Sequence, residues 1–526
     1  MYIGDYLARR ALYSPDRLAI IDTGKSPEWR LTWRQMNERA NRLANWLRDE
    51  ARVGKGDRVA ILAHDGVEHL DLFFACGKLG AVHTALNRRL HPQELADIVA
   101  HTTPRVLVFS DDARPQVAAL QDLLRGHDWA IEHYLHTEGN GAGAGIHFET
   151  ALQAASAAPV TTDGVEDEDI AALIFTGGTT GLPKAAQVSH RMIAWNTLNT
   201  VIHDVTHNDV YLNVFPMFHT GGLFVYTLPQ IIFGGLTVLM RQFDPRLALE
   251  LIERERVTIF AAVPTMYQMI AQAPNWPTAD LSSLRFCTSG GAPLPVPLVE
   301  QYTREKGIRF KQGFGMTEFG PGIFALAPED AIRKAGSIGR PNFYVEARVV
   351  DDDNRFLGPD EEGELVLKGP SYCSGYFGDS AASAGAVDER GYFHTGDIAR
   401  YDAEGYFTIV DRKKDMFISG GENVYPAEIE RVLYQHPDVL MCAVIGLPDA
   451  KWGEAGKACV VLKPGATATT AELLAFMADR LAKYKVPRTV AIMDALPISS
   501  AGKILKRELI NYELRMTTPV VRRGDE

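Results

Sequence analysis

The 526-residue chain has only five cysteines, Cys76, Cys287, Cys373, Cys442 and Cys459, far apart and with no Cys-x-x-Cys pair. That spacing excludes a disulfide framework and a clustered thiolate metal site, and it points to reduced thiols packed as small apolar side chains. Positive charge is also in deficit. With 54 Lys and Arg against 66 Asp and Glu the net charge is −12. This excludes non-specific nucleic-acid binding as a main role but leaves room for a local basic patch around an anionic ligand. No apolar run reaches the length of about 18 residues that a membrane span needs. The longest apolar stretch, around Gly221–Met240, is broken by Gly, Pro and Gln. Met1–Arg10 lacks the basic-then-apolar order of a signal peptide. The 28 prolines and 46 glycines are scattered as turns, with no repeat or low-complexity tract, and Gly139 to Gly145 reads as a surface loop. A cytoplasmic location is the expectation, with no nucleic-acid partner, at most peripheral membrane contact, and a monomer or homodimer.

What is present is strand–helix alternation. Thr32-x-x-Gln35 predicts a capping box, followed by Met36, Ala40, Leu43, Ala44 and Leu47 at helical spacing. Val59–Leu62 and Arg105–Phe109 read as buried strands and Phe73–Leu79 as helix. The pattern resumes at Ile170–Phe175 and Ile259–Val263. Alternation of this kind predicts parallel sheets covered by helices. After about Gly339 the texture changes to short β-rich runs, Val345–Val350, Gly363–Leu367 and Tyr406–Val410, separated by Asp/Asn/Gly turns. They predict a small antiparallel barrel or sheet over about 340–410. Beyond the charged junction Asp411–Asp415 follow a helix opened by Pro426, strands at Cys442–Ile445 and Ala458–Leu462, a helix capped by Thr469-x-x-Glu472, and a strand near Val490–Met493. The expectation is an α/β chain with two domains, residues 1–413 and a small mobile α+β domain, residues 414–526.

The strongest local signal is Phe175-Thr176-Gly177-Gly178-Thr179-Thr180-Gly181-Leu182-Pro183-Lys184, directly after an apolar strand, where α/β folds place ligand loops. Glycines let backbone amides approach an anion, the threonines offer hydroxyls to phosphate oxygens, and Lys184 adds charge. It is not a Walker sequence, because the lysine does not follow the last glycine directly.

That segment resembles the phosphate loop of the acyl-adenylate-forming superfamily, which includes acyl-CoA synthetases, luciferases and non-ribosomal peptide adenylation domains. The chain departs from the family pattern at Gly177, where Ser is usual, and at Ala185, where Gly is usual. Further matches follow in family order. Ser289-Gly290-Gly291-Ala292-Pro293 is similar to the loop that borders adenine, and Gln312-Gly313-Phe314-Gly315-Met316-Thr317-Glu318 to the next core motif. Taken singly, Phe314 reads as core and Glu318 as a capping acid. In series, the resemblance implies that Phe314, where Tyr is commoner, stacks on adenine. It also implies that Thr317 bonds the α-phosphate and Glu318 holds Mg²⁺. In Tyr392-Phe393-His394-Thr395-Gly396-Asp397 the carboxylate would grip both ribose hydroxyls, with Arg412 and Ile409 beside the nucleotide. Lys414 falls at the family's hinge. Leu496 to Lys503 matches the motif of the catalytic lysine, so Lys503 would sit between the substrate carboxylate and the α-phosphate, although Lys485 and Lys506 lie nearby. His219, in Pro216-Met217-Phe218-His219, matches the residue that gates the acyl or pantetheine channel. Gly420 and Gly421, in Ser419–Asn423, match the loop that lines the pantetheine tunnel after rotation. Pro448-Asp449-x-x-Trp452-Gly453-Glu454 is the pattern of CoA-using members.

The implied activity is an acyl-CoA ligase with ATP, Mg²⁺ and coenzyme A: an acid is adenylated, the C-terminal domain rotates, and CoA takes the acyl group. His219, Gly290, Gly313, Met316 and Gly320 fall near the acyl site, and glycines at Gly313, Gly320 and Gly322 are expected to leave room for a bulky group. A medium- to long-chain fatty acid is the expected substrate, with a hydroxycinnamate such as 4-coumarate or ferulate, or another aryl acid, as the alternative. An adenylate former with a different acceptor is a second alternative. A nucleotide-binding sensor without catalysis is the alternative from another class, resting on Gly177.

Overall fold

A computed structural model describes residues 2–139, 145–176, 183–413, 415–419, 422–449, 451–499 and 502–517. Four sheets organise them. In a seven-stranded sheet, Arg58–Leu62, Val82–Ala85, Val106–Phe109 and Ile170–Thr176 run parallel, and Lys184–Ser189 closes one edge antiparallel. In a nine-stranded sheet, Leu18–Asp22, Leu236–Leu239, Val210–Asn213, Ile259–Ala262, Phe286–Ser289 and Phe310–Met316 run parallel before Gly320–Leu326 turns back. These strands are mostly short apolar runs, as a sheet covered on both faces requires.

Helix Trp33–Asp49 begins where Thr32 and Gln35 close the expected capping box, an arrangement that contributes about 1 kcal/mol. Helix Val67–Leu79 is buried along its whole length. It is part of one apolar cluster that includes residues of both sheets, which explains why its sequence has no polar face. The apolar stretch Gly221–Met240 resolves into short helices Thr220–Phe224 and Thr227–Phe233 and the strand Leu236–Leu239. Among the described residues no helix is long and apolar enough to cross a membrane.

The β-rich region is a four-stranded antiparallel sheet of Glu346–Val350, Gly363–Lys368, Phe393–Tyr401 and Phe407–Arg412. The last region is built on a long hairpin, Val439–Asp449 with Gly453–Leu462, flanked by Phe417–Ser419 and the parallel strand Thr489–Ile492. Its two strands run well past the sequence expectation, so Pro448 and Asp449 pair with Glu454 and Gly453. Helices Pro426–Leu433, with Pro at its first turn, and Thr470–Ala478, with the Thr469/Glu472 capping box, pack beside it. The architecture is the expected α/β chain with parallel sheets and a smaller C-terminal α+β region.

Candidate active site

The strand Ile170–Thr176 delivers the phosphate-loop residues. Gly177, Gly178, Thr179, Thr180 and Gly181 lie outside the described residues, as do Lys414, Gly420 and Gly421. At the neck of that loop, Thr176 pairs with Lys184 across the antiparallel edge, and its Oγ1 donates to Lys184 O at 3.3 Å. Lys184 Nζ stands 4.8 Å from the centre of the Tyr376 ring, within cation–π range. The Tyr376 hydroxyl donates to Glu318 Oε1 at 3.0 Å. Burial and the Glu318 charge push the Tyr376 phenol far up, so it keeps its proton and remains a donor. Lys184, Tyr376 and Glu318 thus form one group, further fixed by Cys373 N donating to Glu318 O at 2.7 Å. Tyr376 was missed in the sequence, where Gly375-Tyr376-Phe377-Gly378 is one turn among many and offers no local signal.

The adenine-side motifs occupy neighbouring strands. Phe286–Ser289 leads into Gly290, and Gly291 takes φ +79°, a left-handed backbone that favours glycine. Gly291, Ala292 and Pro293 are exposed. Gln312 Nε2 donates to Ala292 O at 3.4 Å and ties this loop to the next strand. There Gly313, Phe314, Gly315 and Met316 are half-buried and Thr317 is buried. Phe314 meets Phe324 edge-on at 5.8 Å. A Cβ at Gly315 would come within 2.4 Å of Pro321 O, so this glycine is required by strand contact. Gly320 and Gly322 do not leave the open space expected of them. A Cβ at Gly320 would meet Asn196 Oδ1 at 2.6 Å, and one at Gly322 would meet it at 3.3 Å, because the Asn196 side chain fills that space. Gly313 has only ordinary contacts.

Asp397 and Arg412 pair across adjacent strands, with Arg412 Nε 3.0 Å from Asp397 Oδ1. Asp397 is 1% exposed, while Arg412 is exposed beside half-buried Ile409. The neighbouring Asp411, read from sequence as part of a charged surface junction, is a buried strand residue. It accepts from Arg412 N at 2.7 Å and Ala427 N at 2.8 Å, and burial pushes its carboxyl up to about 6.

Lys503 sits in a turn closed by Ser499 N donating to Lys503 O at 2.6 Å and by the Ile498–Ile504 bridge. Thr265 Oγ1 donates to Gly502 O at 3.1 Å, docking this turn on helix Pro264–Ala271. A Cβ at Gly291 would stand 3.1 Å from Lys503 Cε. Lys485 and Lys506 are ion-paired to Glu428 and Glu430 at 2.7 and 2.8 Å, which separates them from Lys503. His219 caps the helix Thr220–Phe224, its Nδ1 accepting from Gly221 N at 3.0 Å. Burial, then the Lys503 ammonium, lowers the imidazole to about 4, so it is neutral near pH 7 with its proton on Nε2.

The structure therefore brings Lys503 beside Gly291 of the adenine loop and near His219, Glu318 beside Tyr376 and Lys184, and Asp397 against Arg412, as three groups. Residues 7–377 match the AMP-binding enzyme family and 428–503 match the AMP-binding enzyme C-terminal domain. The chain belongs to the AMP-binding enzyme family. It is 41% identical over 508 residues to a feruloyl-CoA synthase of an Amycolatopsis species, covering 96% of this chain and 98% of the relative. A long-chain-fatty-acid–CoA ligase of Mycobacterium tuberculosis is 37% identical over 514 residues, covering 96% and 97%. The ATP-bound crystal structure of MatB from Rhodopseudomonas palustris superposes with a TM-score of 0.88 at 31% identity, covering 98% of this chain and 100% of that one. Within the AMP-binding family this chain stands in the acyl-CoA synthetase branch.

Proposed function

We propose that this AMP-forming acyl-CoA ligase acts on an aryl or arylpropenoic acid of the hydroxycinnamate kind. The observation that carries the reading is the greater identity to the feruloyl-CoA synthase than to the fatty-acid ligase at equal coverage of this chain. It displaces the medium- to long-chain fatty acid expected from sequence.

In the first half-reaction the substrate carboxylate oxygen attacks the α-phosphorus of ATP, and pyrophosphate leaves. The Lys503 ammonium, delivered to Gly291, stabilises charge on the oxygens of that transition state. Thr317 donates to the α-phosphate, while Lys184 and the phosphate-loop residues Thr176 to Gly181 hold the departing phosphates. Gly291 to Pro293 and Gly313 to Met316, with Phe314 as the stacking ring, border adenine. Asp397, Ile409 and Arg412 take the ribose side. Glu318 would hold Mg²⁺, which supplies charge neutralisation on the phosphate oxygens. A single carboxylate fixed by a phenol suits an ion that keeps phosphate and water ligands, and no group of three metal-ligating side chains occurs among the described residues. Neutral His219 gates the channel. The unit formed by residues 414–526 then turns about Lys414, removing Lys503 and bringing in Gly420 and Gly421. The CoA sulfur attacks the acyl carbon and AMP leaves. We place the enzyme in the cytoplasm as a monomer or homodimer.

Pyrophosphate release and thioester formation across a panel from acetate to palmitate, with benzoate, 4-coumarate and ferulate, test this. Ferulate or 4-coumarate should give the highest kcat/KM, and Lys503→Ala should release no pyrophosphate. Preference for palmitate would restore the fatty-acyl reading. Pyrophosphate without thioester would indicate another acceptor, and neither product a sensor.

A further inference from the structure

The turn that carries His219 follows strand Val210–Asn213 and closes on itself. His219 N donates to Pro216 O at 3.1 Å, and Gly222 N donates to His219 O at 3.0 Å. A Cβ at Gly222 would stand 2.3 Å from Pro216 O, so the close approach of the two ends depends on glycine there. A hydrogen bond reaches this turn from a distant part of the chain: Met217 N donates to Asp65 Oδ1 at 2.7 Å. Asp65 lies between strand Arg58–Leu62 and helix Val67–Leu79. The Met217 side chain is fully buried in the apolar cluster to which that helix belongs. Backbone and side chain of Met217 thus both lean on the Asp65 segment, two residues before His219.

Asp65 lines a narrow polar cavity with charged side chains from both large sheets. Most of those charges pair with one another: Lys25 with Glu68, Arg241 with Glu138, and His64 with Asp112 at 2.7 Å. Burial, then Arg88, lowers His64 from its ordinary value, so it is neutral where Asp65 titrates. Arg88 and Arg89 also face Asp65 and favour its ionised form, while Asp22 opposes it. Burial outweighs the Met217 bond and the two arginines, and pushes the Asp65 carboxyl up to about 7. A carboxylate oxygen accepts a backbone N–H more strongly than a protonated carboxyl does.

We propose that Asp65 is a positioning residue for His219: it holds the turn Pro216–His219 in the arrangement that accompanies Lys503 at Gly291, and holds it more firmly as a carboxylate than as a protonated carboxyl. Capture of the substrate acid in the first half-reaction therefore improves as Asp65 ionises. This rests on the reading of His219 as the gate of the acyl channel and adds what fixes that gate.

The test is ATP–pyrophosphate exchange with ferulate at pH 6 and pH 8.5, in the native enzyme, Asp65→Asn, His219→Ala and the double variant. The carboxylate of ferulate is ionised at both values, and Asn keeps an acceptor oxygen that cannot ionise. In Asp65→Asn the KM for ferulate should match the native value at pH 6 and exceed it about fivefold at pH 8.5, with kcat nearly unchanged. That difference should vanish in the His219→Ala background. A ratio of variant to native KM that is the same at both pH values, or that survives the loss of His219, would overturn the proposal. If Asp65→Asn does not fold, Asp65→Ser, which also offers a neutral acceptor, is read the same way. An unchanged KM in His219→Ala would mean that the gate reading has failed, and the inference falls with it. A raised KM in His219→Ala beside a flat Asp65→Asn profile would sink the inference alone. Should the enzyme take palmitate and not ferulate, the same four proteins are compared with palmitate.

Discussion

Glu318 is held by a neutral donor and not by a cation: the Tyr376 hydroxyl points at Oε1, and the same ring lies under Lys184. Its carboxylate charge is thus kept for a ligand. Tyr376→Phe should leave the stacked ring in place but free the carboxylate to rotate. We expect KM for Mg-ATP to rise roughly three- to tenfold, the worth of about 1 kcal/mol, with the unfolding midpoint shifted by only a few degrees. Initial rates at varied Mg-ATP, with a thermal melt on the same sample, check this. Lys503, Glu318 and Asp397 were legible in the sequence because each lies inside a motif of glycines and hydroxyl residues. Tyr376 and Asn196 were not, since their roles come from neighbours more than a hundred residues away, Lys184 and Gly322. For Asp411 the local sequence misled. Its neighbours Arg412 and Lys413 are charged, yet strand alternation turns Asp411 inward.

Among the elements, the strand Phe407–Arg412 links the β-rich sheet to the last region, and Asp411 at its end accepts from Ala427 N at the start of helix Pro426–Leu433. Its carboxyl lies at about 6 in the fold against an ordinary 3.8. Between about pH 4 and 6 the unfolded chain is ionised while the fold keeps its proton, so this group's contribution to stability falls as pH rises through that window. The shift corresponds to roughly 3 kcal/mol at most. Asp411→Asn removes the dependence. Urea unfolding at pH 4 and pH 7 should show the variant gaining on the native protein at the higher pH; a constant difference would mean that Asp411 ionises alike in both states. Strands and helices were legible wherever a period of 2 or 3.6 ran long enough, as in Trp33–Asp49 with its capping box. The hairpin arms beyond Cys442–Ile445 and Ala458–Leu462 were not, because Gly446, Pro448, Gly453 and Gly456 read as breakers. Cross-strand pairing overrides that local preference.

Across the whole molecule, hydrogen bonds among the described residues tie the last region to the rest, beginning with Ala427 N to Asp411 Oδ2 at 2.8 Å. Gln268 Nε2 donates to Leu440 O at 2.7 Å, and Thr265 Oγ1 to Gly502 O at 3.1 Å. The rotation proposed above would have to break the Gln268 and Thr265 bonds of this seam. Gln268→Ala removes one bond specific to this arrangement, worth about 1 kcal/mol. Pyrophosphate release should therefore fall roughly fivefold, while thioester formation from supplied acyl-adenylate should hold its rate. An equal fall in both would mean that the seam is common to both steps. The motif order made two working parts legible, but not their contact, which depends on surfaces that no sequence period marks. All five cysteines are buried and unpaired, and burial raises their thiols. The exterior is therefore nearly silent to maleimide chemistry. A cysteine introduced on each side of the seam would take up a fluorescent donor and acceptor with little background, so the proposed swing between the two steps could be looked for one molecule at a time.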